Sequence, residues 1–279
     1  MAGDSVYAAG DFGRVSGSAR DAVARFDADS GELGDFAHRV NGVPRALAVA
    51  HGRLYLGGDF TSVDDATRRR LAAFRLSDGE LDRGWTPTVD GSVHALAVAG
   101  RRVYLGGSFL RTNDSSSARR LSAVDATTGR LDRDFQPRPT AVVYAVAADS
   151  TGVYAGLGGL GGRAESWTEE GRQRWSRAFD GDVQAVTALD GTAYVGGHFD
   201  RACTRVDVDK FGDCVDSARS RIKLAAIDSD GDLDDWAPQA NGVQGVRAIA
   251  ASPALGAIVA GGDFTMIGGA THRRVATFN

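Results

Sequence analysis

The chain has 279 residues, 43% of them hydrophobic, with 37 glycines, 32 basic and 36 acidic side chains and a net charge of −4. That is long for one ordinary domain and normal for a repeat-built one. No basic run exceeds Arg68 to Arg70, which excludes a nucleic-acid footprint, and no apolar run approaches 20 residues, which excludes a spanning helix.

In chain order, one phrase recurs: an aromatic or aliphatic pair, two small residues, a polar residue, then Phe. It runs Tyr7 to Phe12, Leu54 to Phe60, Val103 to Phe109, Tyr194 to Phe199 and Ile258 to Phe264, with a worn copy at Val153 to Gly158. Marker glycines Gly10, Gly58, Gly107, Gly156, Gly197 and Gly262 lie 48, 49, 49, 41 and 65 residues apart. Such periods indicate a propeller, a solenoid or an array.

The unit from Val43 to about Asp90 holds four strand-like pieces. Arg45 to Ala50 is short and apolar, and His51-Gly52 turns the chain. Arg53 to Phe60 carries good strand formers. Arg70 to Leu76 is the third piece, and Ser77-Asp78-Gly79 closes it. Leu81 to Trp85 is the fourth, ended by Pro87, which cannot donate to a ladder. Four antiparallel strands per unit predict an all-β, six-bladed β-propeller of four-stranded antiparallel blades. Counting pieces gives five first, six second, six third and five fourth strands, so the terminal blades are read as incomplete. An incomplete seven-bladed propeller is the alternative. Residues 1–279 are read as one propeller domain excised from a longer protein, with an inserted loop at 200–220.

The run Gly-Gly-Asp-Phe, Arg-Arg-Leu-Ala-Ala-Phe, Asp-Gly-Glu-Leu-Asp, then Trp-x-Pro resembles the delta-60 type bacterial β-propeller repeat family. It is also similar to quinoprotein-like and kelch-like propellers. The likeness covers nearly the whole chain. It implies fold rather than chemistry, since those families include enzymes, lectins and protein-binding scaffolds.

Cys203 and Cys214 are the only cysteines and bracket one insertion. An 11-residue closure is geometrically easy, so a disulfide is expected, and with it export to the exterior or cell surface. Two buried thiols in a cytosolic loop are the alternative. Only Lys210 and Lys223 are lysines, and that arginine bias fits a bacterial gene of high GC content.

Sites of chemistry are sparse. Gly156 to Gly161 has dinucleotide-type glycine spacing but precedes a strand-like piece, not the helix that motif needs, so it reads as a strand-to-strand loop. Asp228 to Asp232 opens like a calcium loop, lacks the distal Glu, and reads as a hairpin turn, with a weak calcium contact as the alternative. Asp207, Asp209 and Asp213 read as solvated loop carboxylates, with a cation as the alternative. Asp11, Asp59 and Asp263 recur too regularly for one active site and are expected to hold backbone amides or a local arginine, one of Arg68 to Arg70 or Arg273. Trp85, Phe135, Trp175 and Trp236 are expected to pack between blades. His198 replaces the motif aspartate. No nucleophile motif occurs, so no catalytic residue, metal ligand or cofactor is assigned.

The functional signal is positional. One residue of each first strand changes from copy to copy while its neighbours barely do: Arg45, His94, Tyr144, Gln184 and Arg247. In a propeller these ring one mouth of the channel. The preferred reading is a non-enzymatic recognition scaffold binding a protein partner or cell-surface glycan, in an exported bacterial protein with further domains. A hydrolase or lyase using His94, His198 or a carboxylate is the rival, and a structural spacer is a third reading.

Overall fold

The computed structural model describes residues 3–204, 208–215 and 217–279. Among these the regular elements are strands, with no helix, and the strand ladders are antiparallel. The chain divides into two compact units, Met1–Arg133 and Asp134–Asn279.

In the first unit, Ser5–Ala9 pairs with Val23–Asp27. Val40–Ala50, Arg53–Val63 and Leu71–Arg75 form the next sheet, and Val93–Ala99, Arg102–Gly107 and Leu121–Asp125 another. In the second unit, Val143–Asp149, Gly152–Leu157, Gly162–Trp167 and Gln173–Phe179 pair in sequence order. Val183–Leu189, Thr192–Gly197 and Leu224–Ile227 follow, then Val246–Ser252, Ala257–Gly262 and Val275–Phe278.

Five of the six copies of the recurring phrase, all but the worn one, fold the same way. Arg70, just before its third strand, sits at φ +73°; its N–H donates to Phe60 O at 3.0 Å and its carbonyl accepts from Gly58 N at 3.1 Å. The same reciprocal pair ties Ala22, Arg120, Lys223 and Arg274 to Gly10/Phe12, Gly107/Phe109, Gly197/Phe199 and Gly262/Phe264. A non-glycine residue at positive φ is strained, and two backbone bonds hold it there. The second glycine also lets the first strand approach. A Cβ on Gly58 would lie 2.6 Å from Pro44 Cα, and on Gly107, Gly197 or Gly262 it would strike the carbonyl of Ser92, Asp182 or Gly245.

The fourth piece corrects expectation. Leu81 makes a single bridge to Phe74, Asp82 N donates to Ala73 O at 2.8 Å, and the Asp82 side chain then accepts from Gly84 N at 2.9 Å. That Asx-type bond bends the chain away from the ladder, so Leu81 to Trp85 is a bridge and a turn rather than a strand. Leu131 and Leu233 make the same single bridge, and Asp234 caps Trp236 N at 2.7 Å. The worn copy is the one that completes four strands. Its final piece, Gln173–Phe179, has no Leu-Asp pair to turn it and continues as a seven-residue strand.

The described ends of the expected inserted loop at 200–220 form strands. Arg201–Cys203 pairs with Ala218–Ser220, and Phe179 opposite Ala202 joins that hairpin to the four-stranded sheet. Shorter hairpins occupy the same place in other copies, at Ser62-Val63/Ala66-Thr67 and Met266-Ile267/Ala270-Thr271. The insertion therefore lengthens a hairpin that the repeat already has. A Cys203–Cys214 disulfide, Cα–Cα 5.2 Å, closes it.

The apolar clusters bridge consecutive sheets. Tyr55, Leu71, Ala73 and Trp85 pack with Val93, Leu105, Phe109 and Val124 from the following sheet. Trp85 Nε1 donates to Asp125 O at 3.1 Å and Tyr55 OH to Ala126 O at 2.9 Å, so both large rings are polar-anchored across the gap. Trp236 likewise meets Tyr194 of its own copy and Phe278 of the next, at 5.0 and 5.4 Å. This is the inter-sheet role expected of the tryptophans.

Two outcomes follow. Trp85→Ala should lower unfolding free energy by about 3–5 kcal/mol in urea titration, because the site cannot collapse around so large a loss. Replacing Cys203 and Cys214 by serine should cost about 2–3 kcal/mol on the chain-entropy estimate for an 11-residue closure, with reductant lowering the melting temperature of the native protein but not of the double variant.

Candidate functional site

The register singles out the five variable residues. Gly58 faces Pro44 and Gly57 faces Ala46, so Arg45 has no partner across the ladder. Gly107 faces Val93 and Gly106 faces Ala95, skipping His94. Leu157 and Gly156 face Val143 and Ala145, skipping Tyr144. Gly197 and Gly196 face Val183 and Ala185, skipping Gln184, and Gly262 and Gly261 face Val246 and Ala248, skipping Arg247. Each candidate is the extra residue of a β-bulge. A bulge shifts the register by one residue, bends the strand and re-aims a side chain, and bulges recur beside functional sites.

The first strands pack side by side within each unit: Val40–Ala50 against Val93–Ala99 in one, and Val143–Asp149, Val183–Leu189 and Val246–Ser252 in sequence in the other. Arg45 and His94 thus stand on neighbouring strands, and Tyr144, Gln184 and Arg247 on three successive ones. Arg45 and Arg247 are exposed, and His94, Tyr144 and Gln184 are half-buried.

Asp59 organises the first pair. It accepts from Arg45 Nε at 2.5 Å, from Arg70 Nη1 at 2.9 Å and from the Ser92 hydroxyl. Burial raises its pKa, but the Ser92 bond and Arg45 outweigh that and hold the carboxyl below its ordinary range. Burial, then the Arg45 charge, lowers the pKa of His94, with Asp59 opposing, so the imidazole is neutral at neutral pH. Burial, then Asp182, raises the Tyr144 pKa and keeps its phenol protonated. Arg247 Nη2 donates to Gln244 Oε1 at 2.6 Å. The first unit thus presents a guanidinium held by Asp59 beside an imidazole, and the second presents a phenol, an amide and a guanidinium on three successive strands.

The remaining candidates resolve by geometry. Asp59 takes Arg70, as expected of the motif aspartate, whereas Asp263 takes Arg274 at 3.2 Å rather than Arg273. Where His198 replaces that aspartate it is exposed, and Lys223 turns instead to Asp200 at 2.8 Å. Asp228 accepts from Asp230 N and Asp232 N at 3.0 and 2.8 Å, a hairpin turn. Residues 158–161 join two strands. Asp209 accepts from Phe211 N and Asp213 N, and Asp213 pairs with Arg201, while Asp207 lies outside the described residues.

Three features escaped the sequence: the Asp59 hub with Ser92, a clasp of Arg53 to Asp82 and Arg102 to Asp132 at 2.8 and 2.5 Å, and Glu165. The clasp had a signal, since Leu-Asp follows the third strands Leu71–Arg75, Leu121–Asp125 and Leu224–Ile227 at one fixed distance. Glu165 had none. Burial above all raises its pKa from 4.5 to about 7, against the Arg163 charge and a 3.4 Å hydrogen bond from the Ser176 hydroxyl.

A family model described as a domain of unknown function (DUF5122) β-propeller matches residues 4–31. No curated protein matches the chain. Among solved structures, the chain resembles one from "Crystal Structure of Mitotic Checkpoint Complex", with TM-score 0.58 and 13% identity over 86% of this chain and 66% of that one, just under two thirds of its length. It is also matched to the computationally designed Ika8 protein, with TM-score 0.46 and 15% identity over 99% of this chain and 96% of that one, a likeness from which nothing is drawn. The all-β antiparallel fold is that of a β-propeller repeat protein.

Glu165 sets a pH dependence. Its folded pKa is raised, so protonation favours the fold: stability is full below about pH 4.5, falls as pH rises towards 7, and is flat above. Glu165→Gln should therefore raise stability near pH 8 by up to about 3 kcal/mol, at ~1.4 kcal/mol per pH unit, and change little near pH 4, read by chemical denaturation at both pH values.

Proposed function

We propose that residues 1–279 form a single β-propeller domain of six blades, an incomplete seven-bladed form being the alternative, of the delta-60 repeat type. Its role is non-enzymatic recognition. Each unit offers contact residues at its bulged first-strand positions: Arg45 with His94 in one, and Tyr144, Gln184 and Arg247 in the other. The carrying observation is that every one of these positions is the extra residue at a register shift of its strand, differing in side chain from copy to copy. A scaffold that varies only what it points outward has the logic of a binding surface. Tyr and Arg at three of the five positions add the area and hydrogen-bonding capacity that concentrate interface energy.

The partner we favour is a protein. The similar chain from the mitotic checkpoint structure belongs to a complex, which is in keeping with that choice. A cell-surface glycan is the other ligand class for the same donors and ring. The disulfide and the absence, among the described residues, of a helix long and apolar enough to cross a membrane are compatible with a bacterial secreted or surface location. A hydrolase or lyase reading would draw on Glu165, whose carboxylate is buried opposite Ser176 within its own sheet.

Peptides selected against the immobilised protein from a random displayed library provide the probe. Arg45→Ala, Tyr144→Ala and Arg247→Ala should each weaken the selected peptides about 10-fold or more, with melting temperature held within about 2 °C. Unchanged affinity in all three variants would overturn the assignment.

A further inference from the structure

The phrase that leads into the next copy reads Trp-Thr-Pro at 85–87, Phe-Gln-Pro at 135–137 and Trp-Ala-Pro at 236–238, but Phe-Ala-His at 36–38. His38 stands where the other copies have proline. Its side chain is 11% exposed and sits against the rings of Phe36 and Phe74 at 4.6 and 4.4 Å.

Both ring nitrogens meet acceptors. Nδ1 lies 2.9 Å from Asp64 Oδ2, and Nε2 lies 2.8 Å from Gly79 O. A carbonyl oxygen only accepts, so Nε2 carries a hydrogen. A carboxylate likewise only accepts, and Asp64 Oδ1 already takes Arg39 N at 3.0 Å. The two bonds therefore exist together only when the imidazole holds two hydrogens and a positive charge. The neutral ring has one donor to offer.

The following junction makes the same link without a titrating group. Asn113, four residues beyond its motif Phe as Asp64 is, accepts from Thr88 N at 2.8 Å and donates through Nδ2 straight to Gly129 O at 2.9 Å. Pro87 takes the place of His38 there, and Gly129 that of Gly79. An amide supplies a permanent hydrogen. A carboxylate has none, so the His38 ring stands between it and the carbonyl. The second hydrogen of an imidazole comes and goes over about pH 5 to 8.

The charged groups around the ring come from each element packed against it. They are Asp64 from the hairpin turn, Asp35 from its own segment, Arg25 from Val23–Asp27, and Asp78 and Glu80 beside Gly79, with Asp78 paired to Arg75 at 3.0 Å. The bridge thus ties one segment to two turns. Asp64 N also donates to Arg39 O at 2.7 Å, and the segment runs directly into Val40–Ala50, the strand that carries Arg45.

We propose that His38 is a proton-operated latch. With both ring nitrogens protonated it fastens the 36–39 segment to the Asp64 and Gly79 turns; loss of one proton to solvent leaves a lone pair facing an acceptor and opens one of the two bonds. The closed form is the protonated one, so closure is complete at low pH and is lost as pH rises.

The test follows ring-nitrogen NMR and amide hydrogen exchange at Arg39 and Asp64 together across about pH 5 to 8, in a Glu165→Gln background that removes the proton-linked stability change at Glu165. The ring should lose its second hydrogen over the same interval in which opening of the two amides rises about 10-fold or more, intrinsic exchange being factored out. Asp64→Asn should hold both amides within about 3-fold across the range, because the introduced amide donates to Nδ1 of the neutral ring while Nε2 keeps Gly79 O. His38→Pro combined with Asp64→Asn copies Pro87 and Asn113 and should be equally insensitive. Unchanged amide protection while the ring titrates, or a pH response that survives in Asp64→Asn or in the double variant, would overturn the proposal.

Discussion

The structure depends on how closely a first strand runs against the motif glycine. At Gly107, Gly197 and Gly262 a main-chain carbonyl of that strand occupies the volume any side chain would need. Three features accompany this approach in those copies: glycine at the contact, an extra first-strand residue that forms the bulge, and a residue at positive φ opening the third strand, bonded to both glycine and phenylalanine.

Sheets built this way are not stable alone. Within each unit, neighbouring sheets cover one another's apolar faces, and in the first unit the largest rings cross the gap to do so: Trp85 to Asp125 O and Tyr55 to Ala126 O. Interactions are therefore mostly between neighbours along the chain, and damage at one ring loosens two sheets. The ion pairs are secondary. Most involve at least one well-exposed partner, where solvent and salt leave little net energy. Their work at Asp59 is geometric, holding Arg45 and Arg70 against one carboxylate.

Architecture was legible because it repeats. The Leu-Tyr-Leu-Gly-Gly phrase, the His51-Gly52 turn and the aromatic positions each declared their role through recurrence. What a single copy decides was not legible. The sequence offers Leu81 to Trp85 as a strand by composition, yet the Asp82 side chain bends it away after one bridge. It offers residues 153–158 as a degraded copy, yet that copy has the fullest sheet, because Gln173–Phe179 lacks the capping aspartate. The variable residues were visible as variable. That they are bulged was hidden, because a one-residue register shift leaves no mark on composition. Asp59 was set aside as a repeated structural carboxylate, and so its hold on a candidate site residue was missed.

Variation at a bulge argues for recognition over catalysis on physical grounds. Catalysis requires unlike groups brought within hydrogen-bond reach of a reacting atom, so its residues constrain one another. The bulged residues do not converge on one another in this way: Arg45 is held by Asp59 and Arg247 by Gln244, each within its own copy. The five positions differ as side chains differ when each meets a separate part of a partner, namely two guanidiniums, an imidazole, a phenol and an amide. Among the described residues the most strongly shifted acid, Glu165, sits on a third strand, two strands away from the bulged Tyr144 in the same sheet. The group with the most perturbed proton and the groups with the most variable chemistry belong to different strands, which is the arrangement of a scaffold whose surface changes while its frame stays constant.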